Sequence, residues 1–451
     1  MKVAMLVHDF PNLSESFILN QITGLIDRGV EVDIYTDNIG DWSHVHPDVN
    51  CYRLWENTYR LEKIPQNYLW RVVKGVGLAV RHLFTSPLQV LRSLNWLVYG
   101  EQALNLWLLY TAVSLSTKSY DIIHCQFGTQ AYRGLALKRL VQPTPKLLLM
   151  FRGYDISGHL REGGETLYQK LRLHGDYALT NCDFFRQKVL QLGWASDQVA
   201  IHFSGLNVSK FRYRPRSLQP AERVRLATTG RLVEKKGLEY AIRAVAKQAK
   251  HCPNIDFLIM GDGPLRAALE RLVKTLQAEA YIHFLGWQNE AQIAQVLESC
   301  HLFMAPSVTA ANGDQDAPVN VLKEAMAMGL PVISTLHGGI PELVQDGISG
   351  FLVPERDADA LAERLDYLIS HPERWAEMGQ AGRAFVATAF DLDQLNHRLF
   401  ELYARLTSSG PLAVETGQSL THPSAPAASR SALSPPTKVA LPPNSANLGG
   451  L

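Results

Sequence analysis

Val224-Arg225-Leu226-Ala227-Thr228-Thr229-Gly230-Arg231-Leu232-Val233-Glu234-Lys235-Lys236-Gly237 begins as an apolar run of strand length and breaks into a glycine-flanked, cationic loop. A helical pattern, Leu238 to Lys250, follows directly. Such a unit suits a diphosphate, which needs a close-approaching backbone, positive charge and a helix N-terminus. Gly230, Arg231 and Lys236 are its candidate ligands. An ordinary solvated loop would carry the same residues, so the surrounding chain has to decide.

Outward from this stretch the chain alternates strand and helix. Toward the N-terminus, strand candidates are residues 2–8, Val30–Tyr35, Asp121–Cys125, Lys146–Phe151, Tyr177–Thr180 and Val199–Phe203, with an amphipathic stretch from Ser14 to Arg28 closed by Gly29. After a polar break at 212–223, strands are expected at Val224–Thr228, Ile255–Met260, Tyr281–Leu285, His301–Ala305, Pro331–Ser334 and Gly350–Val353. This rhythm predicts an α/β fold of two doubly wound, Rossmann-like domains with a cleft between the carboxyl ends of their sheets. The domains read as 1–210 and 224–390, joined by a linker at 211–223. A last helix, 391–406, can cross back to the first domain, and 407–451 reads as a disordered tail rich in Pro, Ser, Ala and Gly.

Composition excludes several classes. The 451 residues are 46% hydrophobic and 19% charged, which makes a disordered chain untenable. Net charge is +1, from 44 Lys+Arg and 43 Asp+Glu, so no nucleic-acid partner is expected. Five scattered cysteines, none in CxxC spacing, suit a reducing compartment and offer no zinc site. Residues 1–7 meet His8-Asp9 too early for a secretion signal. The apolar stretch Ala103–Thr117 falls short of the roughly 18 residues of a spanning helix and reads as buried core. The expected location is the cytoplasm, with contact at a membrane face possible but no integral span.

Three further segments carry chemistry. In Asp314-Gln315-Asp316-Ala317-Pro318-Val319-Asn320-Val321-Leu322-Lys323-Glu324, Asp316 lies in a loop and Glu324 inside the following helix. A carboxylate projecting from a helix into a cleft can accept from two ribose hydroxyls; solvent exposure is the bland alternative. His337-Gly338-Gly339-Ile340-Pro341 places two glycines and a first-turn proline after a strand, where free amides would face an anion. Met260-Gly261-Asp262-Gly263-Pro264 has a similar form and reads as a turn.

Together these segments resemble the retaining family-4 glycosyltransferases of the GT-B fold, with Asp316 and Glu324 at that family's "Glu, seven residues, Glu" positions. The opening Phe10-Pro11-Asn12-Leu13-Ser14-Glu15-Ser16-Phe17-Ile18 is similar to the subgroup that includes colanic-acid and other exopolysaccharide transferases. The resemblance spans about 1–405. It implies that Arg231 and Lys236 hold the donor diphosphate, Glu324 binds ribose and Asp316 contacts the donor sugar. Gly230, Asn320 and the amides of Gly338 and Gly339 complete donor binding. It further implies front-face transfer assisted by the donor phosphate, with no protein nucleophile, metal or cofactor beyond a UDP- or GDP-sugar co-substrate. The acceptor would be a growing glycan, such as a lipid-linked oligosaccharide.

The chain departs from the family at three points. Asp replaces the first Glu, and the proline after it falls one place early. Arg152, in Phe151-Arg152-Gly153-Tyr154-Asp155, stands where a histidine is expected. A Gly-Gly loop after the first strand is absent, and Ser14 with neighbouring amides is the candidate replacement. On the acceptor side, Ser14, His124, Arg152 and Asp155 are candidates, with core packing equally open for His124. His44-x-His46 lacks a third metal ligand, and Asp357-x-Asp359 and Asp391-x-Asp393 read as helix caps. Between Glu62 and Glu101 there are cations but no carboxylate, and Leu69, Val72, Val73 and Val76 follow helical spacing. That stripe either packs on the first sheet or faces an anionic bilayer. Two rival functions remain at this point: an epimerase or phosphorylase of the same fold, or a non-catalytic sugar-nucleotide-binding subunit.

Overall fold

The computed structural model describes residues 1–43, 45–113 and 118–408. His44 and most of the expected tail, 409–451, lie outside the described residues. The first sheet comprises β1 (Lys2–Phe10), β2 (Glu31–Ile39), β3 (Thr58–Arg60), β4 (Ile122–Cys125), β5 (Lys146–Phe151), β6 (Tyr177–Thr180) and β7 (Val199–Ile201) in the order β3-β2-β1-β4-β5-β6-β7. The second comprises β8 (Val224–Thr229), β9 (Ile255–Met260), β10 (Ile282–Gly286), β11 (Leu302–Ala305), β12 (Val332–Thr335) and β13 (Gly350–Val353), ordered β10-β9-β8-β11-β12-β13. Every pairing in both sheets is parallel.

Parallel strands with helices on both faces have no solvent side, so they read as continuous apolar runs. Val3 to Val7 are wholly buried, as are Leu147 to Phe151. In each sheet the strand order reverses at the first strand: β1 lies between β2 and β4, and β8 between β9 and β11. Ligand crevices open beyond the carboxyl ends of strands at such reversals. The 229–237 loop therefore sits at one crevice, and residues after Phe10 sit at the other.

Several elements differ from the sequence expectation. β2 runs to Ile39 because it pairs with β1 along its length, from Lys2↔Glu31 to Phe10↔Ile39. β3 was not expected; it is a three-residue edge strand. The 14–28 stretch divides into a 3-10 turn, Leu13–Glu15, and a helix, Ser16–Ile26, because the Asn12 side chain accepts from the Ser14 amide at 3.0 Å. Ala103–Thr117 is not one helix: Glu101–Leu104 and Trp107–Ala112 flank Leu106, at φ +60, and residues 114–117 lie outside the described residues.

The first domain also ends sooner than residue 210. Phe203, Leu206 and Phe211 pack with Met326, Leu330 and Phe390 in the second domain's core, and Arg216 of the linker is buried against the carbonyls of Glu298, Cys300 and Met328. The last helix, Leu392–Thr407, packs mainly on the first domain, while Leu395 near its start joins the second domain's core. Leu399, Leu402 and Tyr403 join a core with Val3, Met5 and Ile22. Asn396 donates to the Asn20 carbonyl at 3.0 Å; a Cβ on Gly24 would lie 1.9 Å from the Asn396 amide nitrogen, so a larger residue there would have to displace Asn396.

Candidate functional site

The loop after β8 is shaped by backbone crossings. Gly237 has φ +60, and a Cβ there would lie 1.9 Å from the Pro306 carbonyl oxygen. The 260–264 turn braces the loop from beneath: Gly230 donates to the Met260 carbonyl at 3.0 Å and Leu232 to that of Asp262 at 2.9 Å. The loop thus presents Lys235 and Lys236 from one 3-10 turn, Glu234–Lys236.

Both lysines meet Asp316. Lys236 Nζ lies 2.8 Å from Asp316 Oδ2, and Lys235 Nζ 3.3 Å from Oδ1 and 2.9 Å from Asp314. Ser307 Oγ donates to Asp316 Oδ2 at 3.0 Å. Burial alone would raise the Asp316 carboxyl, but Lys236 and Lys235 overcome it and hold it far below the usual carboxylate range. On the other side the Asp316 amide donates to His337 Nε2 at 2.9 Å, and His337 Nδ1 meets Glu355 at 2.6 Å. Glu355 in turn accepts from the amide and hydroxyl of Thr309 at 2.8 and 3.2 Å.

Gly338 crosses the same loop at φ +51, where a Cβ would lie 2.0 Å from the Asp316 carbonyl oxygen. Among the described residues, the Gly338 and Gly339 amides donate to no protein acceptor. A small recess lined by Thr229, Gly230, Lys236, Ser307, Val319 and Val321 lies between Lys236 and the start of the helix Asn320–Ala327. Glu324 sits one turn beyond Val321 on that helix, the spacing that puts two residues on one face. Its side chain makes no hydrogen bond or ion pair among the described residues. Burial raises its carboxyl to about 7, the Glu290 charge adds to this, and Lys323 opposes it. Cations and glycine amides thus lie on the loops around Asp316, and Glu324 on the helix that follows that loop.

The facing wall belongs to the first domain. Arg152 is buried; it donates to the carbonyl and side chain of Gln126, to Gln21 at 3.2 Å and to Ser204 at 3.3 Å, and it stacks over the Phe17 ring at 4.5 Å. Burial lowers its pKa to about 10, with Asp155 and Glu15 opposing. Glu15 presents a buried oxygen, Oε2, without a hydrogen-bond partner. Burial raises its carboxyl; Arg152 and His8 counter that, and Arg231 adds a pull from across the cleft. Arg231 itself is exposed and makes no side-chain hydrogen bond among the described residues. Polar contacts join the walls: Glu342 accepts from the amides of Asp183 and Phe184 at 2.8 Å each, and the Gln315 amide donates to Ser157 at 3.1 Å.

A model of the family "Glycosyl transferases group 1" matches residues 209–385. A Salmonella typhimurium protein carrying the name colanic acid biosynthesis glycosyltransferase WcaL is 33% identical over 406 residues, spanning 89% of this chain and 99% of its own. The chain belongs to the group 1 glycosyl transferases. The amylovoran biosynthesis glycosyltransferase AmsK of Erwinia amylovora is 32% identical to this group 1 transferase, over 90% of this chain and all of its own. The fold matches that of Anabaena HepE, solved with UDP and glucose, at a TM-score of 0.65 and 16% identity, covering 90% of this chain and 99% of that one.

Within this group 1 transferase, the structure gathers Gly230, Lys236, Asp316, Gly338 and Gly339 at one locus with Glu324 nearby, and Arg231 over the cleft. Other expected residues are committed elsewhere. Asn320 does not reach the recess with its carbonyl: Oδ1 accepts from buried Lys323 at 2.9 Å, whose amine also donates to the Ser204 carbonyl at 2.8 Å. His124 is core: it is wholly buried, bonded to the Tyr403 hydroxyl at 2.6 Å, and held neutral by burial and the nearby Arg152 charge. Asp155 is a loop fastener, its oxygens accepting from the amides of Gly128, Arg152, Gly153 and Ile156. Arg152 has its donors turned to protein oxygens. Ser14 is exposed but does not open the helix; its hydroxyl donates to Asn12 at 2.8 Å.

Asp357 and Asp391 cap helices, accepting from the amides of Ala360 and Gln394 at 2.8 Å each. Among the described residues, no three His, Cys, Asp or Glu side chains converge as a metal site would need. Spacing did not single out Lys235, His337, Glu355 or Glu15. The doubled lysine and the histidine preceding Gly338-Gly339 were the available signals, but their side-chain partners lie 18 or more residues away.

Proposed function

We propose that this group 1 transferase is a retaining family-4 hexosyltransferase, metal-independent, that passes a sugar from UDP- or GDP-sugar to a growing glycan. Colanic acid and amylovoran biosynthesis in the names of its relatives supports an exopolysaccharide or other cell-surface polysaccharide as product. The UDP in HepE supports a uridine donor among the candidates. The acceptor is a lipid-linked intermediate, reached at the inner, cytoplasmic face of the cell membrane.

The observation that carries this reading is the set of cationic, glycine-bearing loops around Asp316 together with Glu324 on the helix that follows, a carboxylate whose side chain has no partner among the described residues. The diphosphate lies toward Lys236, Arg231 and the Gly338 and Gly339 amides, and the ribose hydroxyls donate to Glu324. Lys236 shares its charge between Asp316 and the phosphate. Asp316, held by two lysines and far below its usual range, is a poor base and a poor nucleophile; this favours transfer on the front face. The acceptor oxygen bonds to the anomeric carbon, the bond from that carbon to the phosphate oxygen breaks, and the acceptor proton passes to the departing phosphate. Charge on the leaving nucleotide is met by preorganised cations and amides.

A thermal-shift panel of UDP-, GDP- and ADP-sugars tests donor binding, since a ligand of the native state raises the melting temperature by mass action. Stabilisation by one nucleotide class supports the reading. No shift with any member at saturating concentration removes it.

A further inference from the structure

The chain between β3 and β4 carries an amphipathic helix turned the opposite way from an ordinary surface helix. In Tyr68–Leu83, Leu69, Val73, Val76 and Val80 form one stripe at helical spacing, and all four are exposed, Leu69 by 76%. The opposite side fastens the helix to the domain. Gly75 is buried against Leu106, Leu109 and Tyr110; Arg71 donates to the Pro65 carbonyl at 2.9 Å; and Lys74 pairs with Glu62 at 2.8 Å. Of the two faces the sequence left open, the one bearing Gly75, Arg71 and Lys74 is thus fastened to the domain, and Leu69, Val73 and Val76 face outward.

The apolar surface continues past the helix. Phe84 is 87% exposed, Leu88 67% and Trp96 58%, so the patch is contiguous in sequence and far beyond scattered surface apolars. Lys63, Arg81 and Arg92 are exposed among these residues, with no ion pair among the described residues, and no Asp or Glu occurs from Lys63 to Gly100.

We infer that the 68–98 face docks on an anionic phospholipid bilayer, with the 68–83 helix lying in the plane of the interface. The charge pattern selects this occupant. A two-fold pairing of two copies through the same face would bring cations together with no carboxylate to meet them. Anionic headgroups would meet all three, while the apolar stripe enters the acyl boundary. Sixteen residues of helix span about 24 Å, and no described helix is long and apolar enough to cross a membrane. The helix therefore lies on the bilayer. The inference rests on the membrane-side acceptor of the proposed function, not on the donor chemistry.

The test is flotation of the full chain with phosphatidylcholine vesicles, with and without phosphatidylglycerol. Wild type should float with the anionic vesicles, with recovery at least tenfold above that with neutral vesicles. Leu69→Glu/Val73→Glu, at exposed positions, should lose flotation while keeping the wild-type melting temperature and the wild-type shift with nucleotide sugar. Arg81→Glu/Arg92→Glu should weaken flotation with the stripe intact. Absence of wild-type flotation, equal recovery on both vesicles, or a soluble dimer that Leu69→Glu/Val73→Glu converts to monomer would overturn the inference. The nucleotide-sugar shift reads the donor site independently, so its loss with flotation intact would fall on the proposed function alone.

Discussion

Lys236 donates to one oxygen of Asp316 at 2.8 Å while Lys235 lies 3.3 Å from the other. One carboxylate, 80 residues downstream of Lys236, thus orders both lysines of the 229–237 loop. Holding a cation in place before substrate arrives is how preorganised electrostatics lowers a barrier.

Lys236→Ala and Arg231→Ala should each lower turnover by on the order of a hundredfold, since one preorganised donor contributes about 3–4 kcal/mol. The two should differ in stability. Arg231 is exposed and has no side-chain partner among the described residues, so its loss should leave the urea midpoint unchanged. Lys236→Ala leaves Asp316 with one lysine and should lower the midpoint. Wild-type turnover in either variant would remove that residue from the phosphate site.

Asp316→Asn should destabilise by ~3 kcal/mol, because it leaves two partly buried lysines without their counter-charge. The folded carboxyl titrates below the ordinary Asp value, so its contribution is fully present above the unfolded pKa of about 3.9 and is lost as pH falls through the folded value. Urea unfolding should show a constant gap between wild type and variant from pH 8 to 5, narrowing below about pH 4. A gap that widens on acidification contradicts the pairing.

Glu324→Gln should trade binding for stability. Burial raises this carboxyl to about 7 in the folded chain, so wild-type stability falls as pH rises from the unfolded pKa through 7. The variant escapes that loss and should be more stable at pH 8 by about 1–2 kcal/mol. It should also bind free nucleoside diphosphate more weakly, and wild-type affinity should rise through pH 7 as Glu324 ionises. Calorimetry at pH 6 and 8 reads both; equal affinities for wild type and variant would move the ribose elsewhere.

Tyr403→Phe removes the buried partner of His124 Nδ1 and should cost about 1–3 kcal/mol through the unsatisfied nitrogen. Turnover at saturating donor and KM should stay at wild-type values, since the pair ties the last helix to the first sheet. A selective rise in KM without loss of stability would return His124 to the acceptor site.

Transfer should persist in EDTA at the untreated rate, because in the proposed site Arg231, Lys236 and the amides would meet the diphosphate charge. Activity lost in EDTA and restored by Mg²⁺ or Mn²⁺ would show that those groups are insufficient.

The sequence by itself determined the architecture. Strands buried on both faces must be apolar throughout, and loops that approach a phosphate or cross another backbone must use glycine; both constraints are local and visible in runs such as Val3–Val7 and Gly230 to Gly237. It also marked Lys236, Asp316, Glu324 and Gly338-Gly339 as one set, without their connections. Only the tertiary structure decided which polar side chains were already occupied. Asp155 and Asn320 look available in sequence, yet backbone amides and Lys323 take them, because a buried polar group must find a partner wherever the fold supplies one. The direction of the 68–83 helix was undecided for a related reason. Periodicity defines two faces but not which one meets the domain, and that depended on Gly75 fitting against Leu106 and Tyr110 from a segment more than thirty residues away.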